Sequence, residues 1–263
     1  KAEAVGVVSG EKHFPIFPGN MIFKPLTKSK PFSTPLYAYA EVFWSTVINE
    51  YFMPAPQYEL AICEGYEAVN EKYLDYGTAV PVAYKEGESL LNLLDNYVNY
   101  CQMFYDYRDI FESEFFQKHE DLAEQLAMQV LISVLKGDQN YHYENVAFLC
   151  DKEGEIISLA PMIDHEFSTY FMFPEDVSRH VYWLMELSKS IRGWEVKPGE
   201  YDNFKNPEER KLMEKSATCI HKNLFYIKEH YPQVTEEFLN KAEKLKTALT
   251  ETSKDFLIQG NTE

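Results

Sequence analysis

The sequence has little of the positive charge that a nucleic-acid-binding surface needs. It contains 25 Lys and Arg against 42 Asp and Glu, so its formal net charge is −17. Because proteins bind DNA and RNA largely by neutralising phosphates with Lys and Arg, a direct nucleic-acid-binding role is disfavoured. The same acidity does not disfavour ATP, since a few cations and a metal ion can dominate a local cleft.

The sequence also lacks the usual features of zinc-binding, disulfide-bonded and membrane proteins. Its four cysteines are scattered without a Cys-x-x-Cys pair, which disfavours a zinc site or a disulfide framework and favours a reducing compartment. No run of about 18 apolar residues is present, and residues 1–19 contain no apolar core of a signal peptide. We therefore expect a cytoplasmic protein that contacts no membrane.

Hydrophobic periodicity predicts strands in the first part of the chain and helices later. Short apolar runs predict strands over residues 21–25, 58–63 and 79–84, and a hairpin over 146–150 and 156–160. Apolar residues at helical spacing predict helices over residues 36–52, from 89 onward, over 121–136, and beyond 174.

This order of elements indicates an α+β fold. The 263 residues are enough for one large domain or two joined lobes, and 19 Tyr and 18 Phe favour a core of large rings. We expect a small β-rich lobe over residues 1–85 and a larger, mostly helical lobe over residues 86–263.

A polar loop after the strongest predicted helix carries candidate catalytic residues. It reads Gly137-Asp-Gln-Asn-Tyr-His-Tyr-Glu-Asn145 and leads directly into the predicted hairpin. Because a hairpin brings its outer ends together, Asn145 and Asp164 should be neighbours, and their oxygens suit Mg²⁺ carrying phosphate oxygens. Asn140 stands where a loop residue could orient a hydroxyl. Taken singly, each of these residues is more often a turn or cap residue.

Lys24 and Glu41 form a second candidate pair. Lys24 lies on the predicted strand 21–25, where a lysine lining a cleft can act as a point charge on nucleotide phosphates. Glu41 lies one turn into the apolar helix 36–52, where it could pair with Lys24 as a strand Lys and a helix Glu pair in kinases. The alternatives are a solvated edge-strand lysine and an exposed glutamate favoured by the helix dipole.

Two weaker signals complete the set of candidates. The loop that contains Gly6 and Gly10 could cover phosphates with its backbone N–H groups, although two glycines in a loop are common. His142 lies inside the polar loop and could be a base or a ligand. We favour a role in positioning that loop, because the other histidines have no metal-site spacing.

In this order, the residues resemble the HipA-like family of bacterial serine/threonine kinases. The family's catalytic segment Gly-x-x-Asp-x-His-x-x-Asn is similar to Gly137–Asn145, and its later metal-binding Asp, which follows a Leu-x-Pro stretch, is similar to Asp164 in Leu159-Ala-Pro-Met-Ile-Asp164. Ser9-Gly-Glu-Lys12 resembles its glycine-rich loop, Lys24 its strand lysine and Glu41 its helix glutamate. A lipid-kinase segment, Asp-Arg-His-x-x-Asn, is also similar.

The resemblance implies a two-lobed protein-kinase-like fold that uses ATP and Mg²⁺ to phosphorylate a Ser or Thr of a protein. It implies ATP-binding roles for Ser9, Gly10, Lys12, Lys24 and Glu41, and metal-binding roles for Asn145 and Asp164. Family members often form toxin–antitoxin pairs and phosphorylate aminoacyl-tRNA synthetases, which makes a synthetase the expected substrate and an antitoxin an expected partner. Some members phosphorylate a serine of the glycine-rich loop, so Ser9 is a candidate autophosphorylation site.

One residue departs from the family pattern, since Asn140 stands where the family has its catalytic Asp. An amide oxygen can orient a hydroxyl, but it cannot accept a proton as a carboxylate can. Either the residue was substituted to silence a toxic kinase, or the protein is a natural pseudokinase that binds ATP or a partner, or Asp138 serves as the base. A kinase-fold enzyme acting on a lipid or small molecule, and an interaction protein without a nucleotide site, stay open as further alternatives.

Overall fold

The computed structural model has a β-rich first part and a largely helical second part, as the order of elements predicted. The described residues are 7–9, 12–14, 16–17, 21–28, 35–64, 72–82, 88–92, 107–137, 146–165 and 222–259.

The first part alternates short strands with one long helix. Its elements are β1 (Val7–Ser9), β2 (Lys12–Phe14), β3 (Ile16–Phe17), β4 (Met21–Thr27), α1 (Pro35–Val47) with a π-helical continuation (Ile48–Phe52), β5 (Glu59–Ile62) and β6 (Tyr73–Pro81). The helix lies within the predicted range 36–52 apart from its first residue.

The second part combines a small sheet with helices. Its elements are β7 (Ser89–Asn92), α2 (Arg108–Phe111), α3 (Glu114–Lys118), α4 (Glu120–Lys136), β8 (Ala147–Cys150), β9 (Ile156–Leu159), helical residues 222–230, and α5 (Pro232–Gln259). Helix α4 and the β8–β9 hairpin are confirmed close to their predicted positions. None of the helices in the described part of the chain is both long enough and apolar enough to cross a lipid bilayer.

The described strands pair in three antiparallel sheets. Strands β1 and β2 form a two-stranded sheet, β3-β4-β6-β5 a four-stranded sheet in that order, and β7-β8-β9 a three-stranded sheet. Ser9 lies opposite Lys12 at the end of the first sheet.

The strand that carries Lys24 is longer than predicted. Pro25 was expected to end it, but β4 continues to Thr27 with a shift of register between Pro25 and Thr27. Strand β3 pairs only with the beginning of β4, so around Pro25 the described part of β4 has β6 on one side alone. A proline, which has no N–H to donate, is tolerated at such an edge or bulge.

Strand β6 also begins earlier than predicted, at Tyr73 rather than residue 79. The small size of Gly77 in this strand has a structural reason. A Cβ atom at Gly77 would lie 2.1 Å from the carbonyl oxygen of Lys24 and 2.8 Å from the Cα of Pro25. Glycine is therefore required where β6 lies against the Lys24–Pro25 peptide of the neighbouring strand β4.

The prediction of a helix from residue 89 onward was wrong for residues 89–92, which form strand β7. Leu91 packs against the main apolar core, whereas the neighbouring Leu90 is exposed, which is the two-residue alternation of a strand. Pairing with β8 decides the conformation of this short run, which periodicity alone cannot assign.

One apolar core joins helix α1 to the helical part of the chain. It includes residues from the end of α1, from α4, from the β8–β9 hairpin and from α5, among them Trp44, Ile48, Leu126, Ile132, Phe148 and Phe238. Because α1 shares this core with α4, side chains on α1 have a fixed position relative to the segment that follows the hairpin.

We expect Gly77→Ala to destabilise the fold by about 1–3 kcal/mol, because the added methyl group must push the backbone of β4 away. Urea unfolding measures the change. Lys244→Ala, on an exposed face of α5, is the control and should stay within about 0.5 kcal/mol of the native protein. An unchanged urea midpoint for Gly77→Ala would contradict the close approach of the two strands.

Candidate active site

Lys24 lies at the centre of the candidate site. Its Nζ forms ion pairs with Oε1 of Glu41 on α1 and with Oδ1 of Asp164, which follows strand β9. The side chains of Lys24 and Asp164 are 20% and 25% exposed, whereas that of Glu41 is 2% exposed. The site therefore has one buried carboxylate, that of Glu41, and two charged groups that solvent can reach.

The carboxylate of Glu41 connects two distant segments of the chain. While Oε1 contacts Lys24, Oε2 accepts a hydrogen bond of 2.8 Å from the backbone N–H of His165. Both oxygens of this buried group thus have partners, which offsets the cost of removing it from water. The pairing of Glu41 with Lys24, which the sequence predicted, is present.

Asp164 has an unusual backbone conformation. Its φ of 61° lies in the left-handed region, where it is the one non-glycine residue found among the described residues. This conformation costs free energy, although Asp tolerates it better than most residues. The backbone N–H of Asp164 donates to the hydroxyl of Tyr58 at 3.4 Å, and the next peptide N–H is held by Glu41. The surrounding contacts therefore maintain a conformation that the chain alone would disfavour.

Tyr58 is held in place from helix α1. Its ring is buried, and its backbone N–H donates to Oγ of Ser45 at 3.1 Å. Burial, together with the negative charge of Glu41, raises the pKa of the Tyr58 phenol far above its usual value. The phenol stays protonated and keeps its hydroxyl beside the Asp164 peptide.

A second buried pair lies behind Asp164. Nζ of Lys136, in the last turn of α4, is 2.8 Å from Nδ1 of His165, and both residues are fully buried. Helix α4 ends directly after Lys136, where Gly137 adopts a left-handed φ of 60° and its N–H caps the helix. Burial lowers the pKa of His165 well below its usual range, and the charges of Lys136 and Lys24 lower it further. The imidazole is therefore neutral.

The structure brings three of the predicted site residues together, namely Lys24, Glu41 and Asp164. Ser9 and Lys12 lie on paired strands β1 and β2. Gly10, Asp138, Asn140, His142 and Asn145 lie outside the described residues, so their roles and the expected proximity of Asn145 to Asp164 stay predictions.

Sequence reasoning missed Tyr58, Lys136 and His165. One signal could have indicated Lys136. Gln129, Ser133 and Lys136 recur at helical spacing, and all three are buried, which marks a polar stripe on the inner face of α4. No comparable signal distinguishes Tyr58 or His165, because their importance depends on partners far away in the sequence.

Lys24 and Asp164 offer the two kinds of donor that a metal–phosphate ligand uses. Among the described residues no group of three His, Cys, Asp or Glu side chains lies close enough to hold a metal. The partly exposed Asp164 carboxylate is a hard oxygen donor of the kind that Mg²⁺ uses alongside substrate phosphates, and Lys24 beside it can meet phosphate oxygens.

Comparison with known proteins identifies the fold. Neither a protein-family model nor a curated protein matches the sequence significantly. Among solved structures, the crystal structure of the proinflammatory kinase CtkA of Helicobacter pylori is similar over 92% of this chain and 94% of its own, with a TM-score of 0.50 and 14% sequence identity. The chain has a kinase-like fold, with a small β-sheet lobe and a helical region. At this identity the likeness extends to the fold alone and does not single out the HipA-like family.

We expect Glu41→Gln to reduce the free energy of unfolding by about 1–3 kcal/mol, because it removes the buried negative charge that pairs with the Lys24 ammonium. Glu50→Gln is the matched control, since Glu50 is exposed on the same helical segment and should change stability by less than about 0.5 kcal/mol. Urea denaturation compares the two proteins. Equal urea midpoints for the two variants would mean that the ion pair of Glu41 with Lys24 makes no net contribution to the free energy of unfolding.

We expect stability to fall as the pH drops below about 6.5, where His165 binds a proton in the unfolded chain but not in the folded one. The contribution is fully present above this pH and is lost towards acid, with a slope of up to about 1.4 kcal/mol per pH unit. His165→Asn, which keeps an acceptor near the position of Nδ1, should flatten this part of the unfolding curve. His230→Asn, on the surface, is the control, and identical acid profiles for native and His165→Asn proteins would contradict the prediction.

Proposed function

We propose that the protein is an ATP- and Mg²⁺-dependent phosphotransferase of the kinase type. The observation that carries the proposal is that Lys24 pairs with both the buried carboxylate of Glu41 and the solvent-accessible carboxylate of Asp164. In a kinase site these three positions hold the phosphates, steady the lysine and bind the metal. The kinase-like fold supports the same assignment.

In this proposal each residue has a defined electrostatic task. Lys24 presents a positive charge to phosphate oxygens, and Glu41 keeps that ammonium in position by pairing with it from the buried side. Asp164 supplies an oxygen ligand, and Asn145 is the expected second one. Bound Mg²⁺ would neutralise charge on the phosphates. Ser9 and Lys12 face each other on the paired strands β1 and β2, and we assign these two residues, together with Gly10, to covering the phosphates.

Within this class we propose a serine/threonine protein kinase of HipA type. The support is the order of the loop Gly137–Asn145 and the segment Leu159–Asp164 in the sequence, together with the ion pair of Lys24 and Glu41. Residues 1–85 and 86–263 would be its two lobes. A protein substrate such as an aminoacyl-tRNA synthetase, an antitoxin partner and autophosphorylation at Ser9 belong to the same proposal, as does a cytoplasmic location.

Asn140 favours a second candidate, a pseudokinase that binds nucleotide or a partner without efficient transfer. An amide at the base position can orient a substrate hydroxyl but cannot take its proton. His142 would position the loop in both cases, and Asp138, two residues before Asn140 in the sequence, is the carboxylate that could replace the missing base.

The decisive experiment compares the native chain with Asn140→Asp for nucleotide binding and for phosphate transfer. We expect saturating ATP–Mg²⁺ at about 100 times its dissociation constant to add about 2.7 kcal/mol of stability to both proteins, which is roughly 5–10 °C in melting temperature. Asn140→Asp should transfer phosphate about 10²- to 10⁴-fold faster than the native chain, because it restores a general base.

Lys24→Met is the control that removes the phosphate contact, and it should abolish the thermal shift. A shift without transfer in either protein would favour the pseudokinase. Transfer to vesicles or metabolites but to no protein would favour a lipid or small-molecule kinase. The absence of any thermal shift in the native chain would contradict the nucleotide site altogether.

A further inference from the structure

Lys136 is an unexpected residue for the interior of a helical lobe. Its side chain is fully buried, although a leucine or methionine would fill a similar space without the cost of burying an amine. When the Lys136 amine carries its charge it can only donate, so Nδ1 of His165, 2.8 Å away, accepts and the ring proton lies on Nε2. Two buried polar side chains are thus joined directly behind the Asp164 peptide.

The position of His165 in the chain gives this contact its significance. The backbone N–H of His165 donates to Oε2 of Glu41, while its ring is held by Lys136 and packs edge-on against Tyr58. His165 is therefore fixed from helix α1, from helix α4 and from the segment before β5. A residue fixed on three sides leaves its neighbour Asp164 little freedom to rotate.

Asp164 needs such support because its left-handed backbone conformation is unfavourable. The hydrogen bond from its own N–H to the Tyr58 hydroxyl is long, at 3.4 Å. If the His165 ring were released, the Asp164–His165 peptide could relax towards an ordinary conformation, and the carboxylate would move relative to Lys24.

We propose that Lys136 and His165 are positioning residues that hold the Asp164 carboxylate at the place where it meets Lys24. The inference rests on the proposed function in so far as Asp164 binds Mg²⁺. Lys136 acts through the His165 ring and the following peptide, so neither residue needs to touch the nucleotide. The competing explanation is that the pair merely fills the core.

A matched set of variants separates these explanations. His165→Asn keeps an acceptor near the position of Nδ1, His165→Gln moves its polar atoms to the position of Nε2, and Lys136→Met removes the donor at similar length. Asp164→Asn removes the negative charge of the metal ligand itself and gives a reference size of effect. If Lys136→Met does not fold, His165→Gln tests the same contact.

The first measurement is the Mg²⁺ concentration required for half-maximal ATP binding. We expect Lys136→Met and His165→Gln to raise it about 10- to 100-fold, as loss of a residue supporting a metal ligand does. ATP binding without Mg²⁺ should be unchanged, and His165→Asn should stay close to native. A lower melting temperature with an unchanged Mg²⁺ requirement would mean that the pair only fills the core, and would overturn the inference.

The second measurement needs no nucleotide. Hydrogen exchange at the amides of Asp164 and His165 should be about 2- to 10-fold faster in Lys136→Met and His165→Gln, which corresponds to the loss of one hydrogen bond, and native-like in His165→Asn. If the native chain binds no ATP at any Mg²⁺ concentration, the proposed function fails. The exchange rates then decide the positioning role by themselves, since unchanged exchange would overturn it.

Discussion

The carboxylate of Glu41 holds together three parts of the chain that are distant in sequence. Its two oxygens contact the ammonium of Lys24, 17 residues earlier, and the amide of His165, 124 residues later. Because Glu41 is almost completely buried, neither contact can be replaced by water, and losing either one would leave a buried charge short of partners. Helix α1 can therefore pack in its observed position only when strand β4 and the segment around Asp164 are both in position.

The rest of the fold supports these contacts from behind. Gly77 lets strand β6 approach the Lys24 peptide, which sets the position of the lysine on the sheet. On the other side, Nε2 of Gln129 donates to the carbonyl oxygen of Ala160 at 2.9 Å, and Oε1 of Gln125 accepts from the N–H of Leu159 at 3.1 Å. These hydrogen bonds hold the end of β9 against helix α4, so the backbone that leads to Asp164 has a fixed position.

The sequence allowed the helices, the hairpin and the pairing of Lys24 with Glu41 to be predicted, because each depends on local periodicity or on a recognisable order of residues. Strand β7 and the beginning of β6 could not be predicted, since their conformation depends on partner strands elsewhere in the chain. The buried contact of Lys136 with His165 is likewise non-local, and only the polar spacing on α4 pointed towards it. The kinase-like fold is supported by structural likeness, whereas the HipA-like assignment still rests on a few residues in order.

Under the proposed function, binding and transfer depend on different residues. The described contacts among Lys24, Glu41, Tyr58, Asp164 and His165 join residues outside the range 138–145. An amide in place of a carboxylate at position 140 removes a proton acceptor but no member of this network. The arrangement that would hold a nucleotide can thus persist in a chain whose chemistry is weakened. Under the same proposal, a carboxylate there would change the proton transfer without requiring a change in the described ion pairs of Lys24.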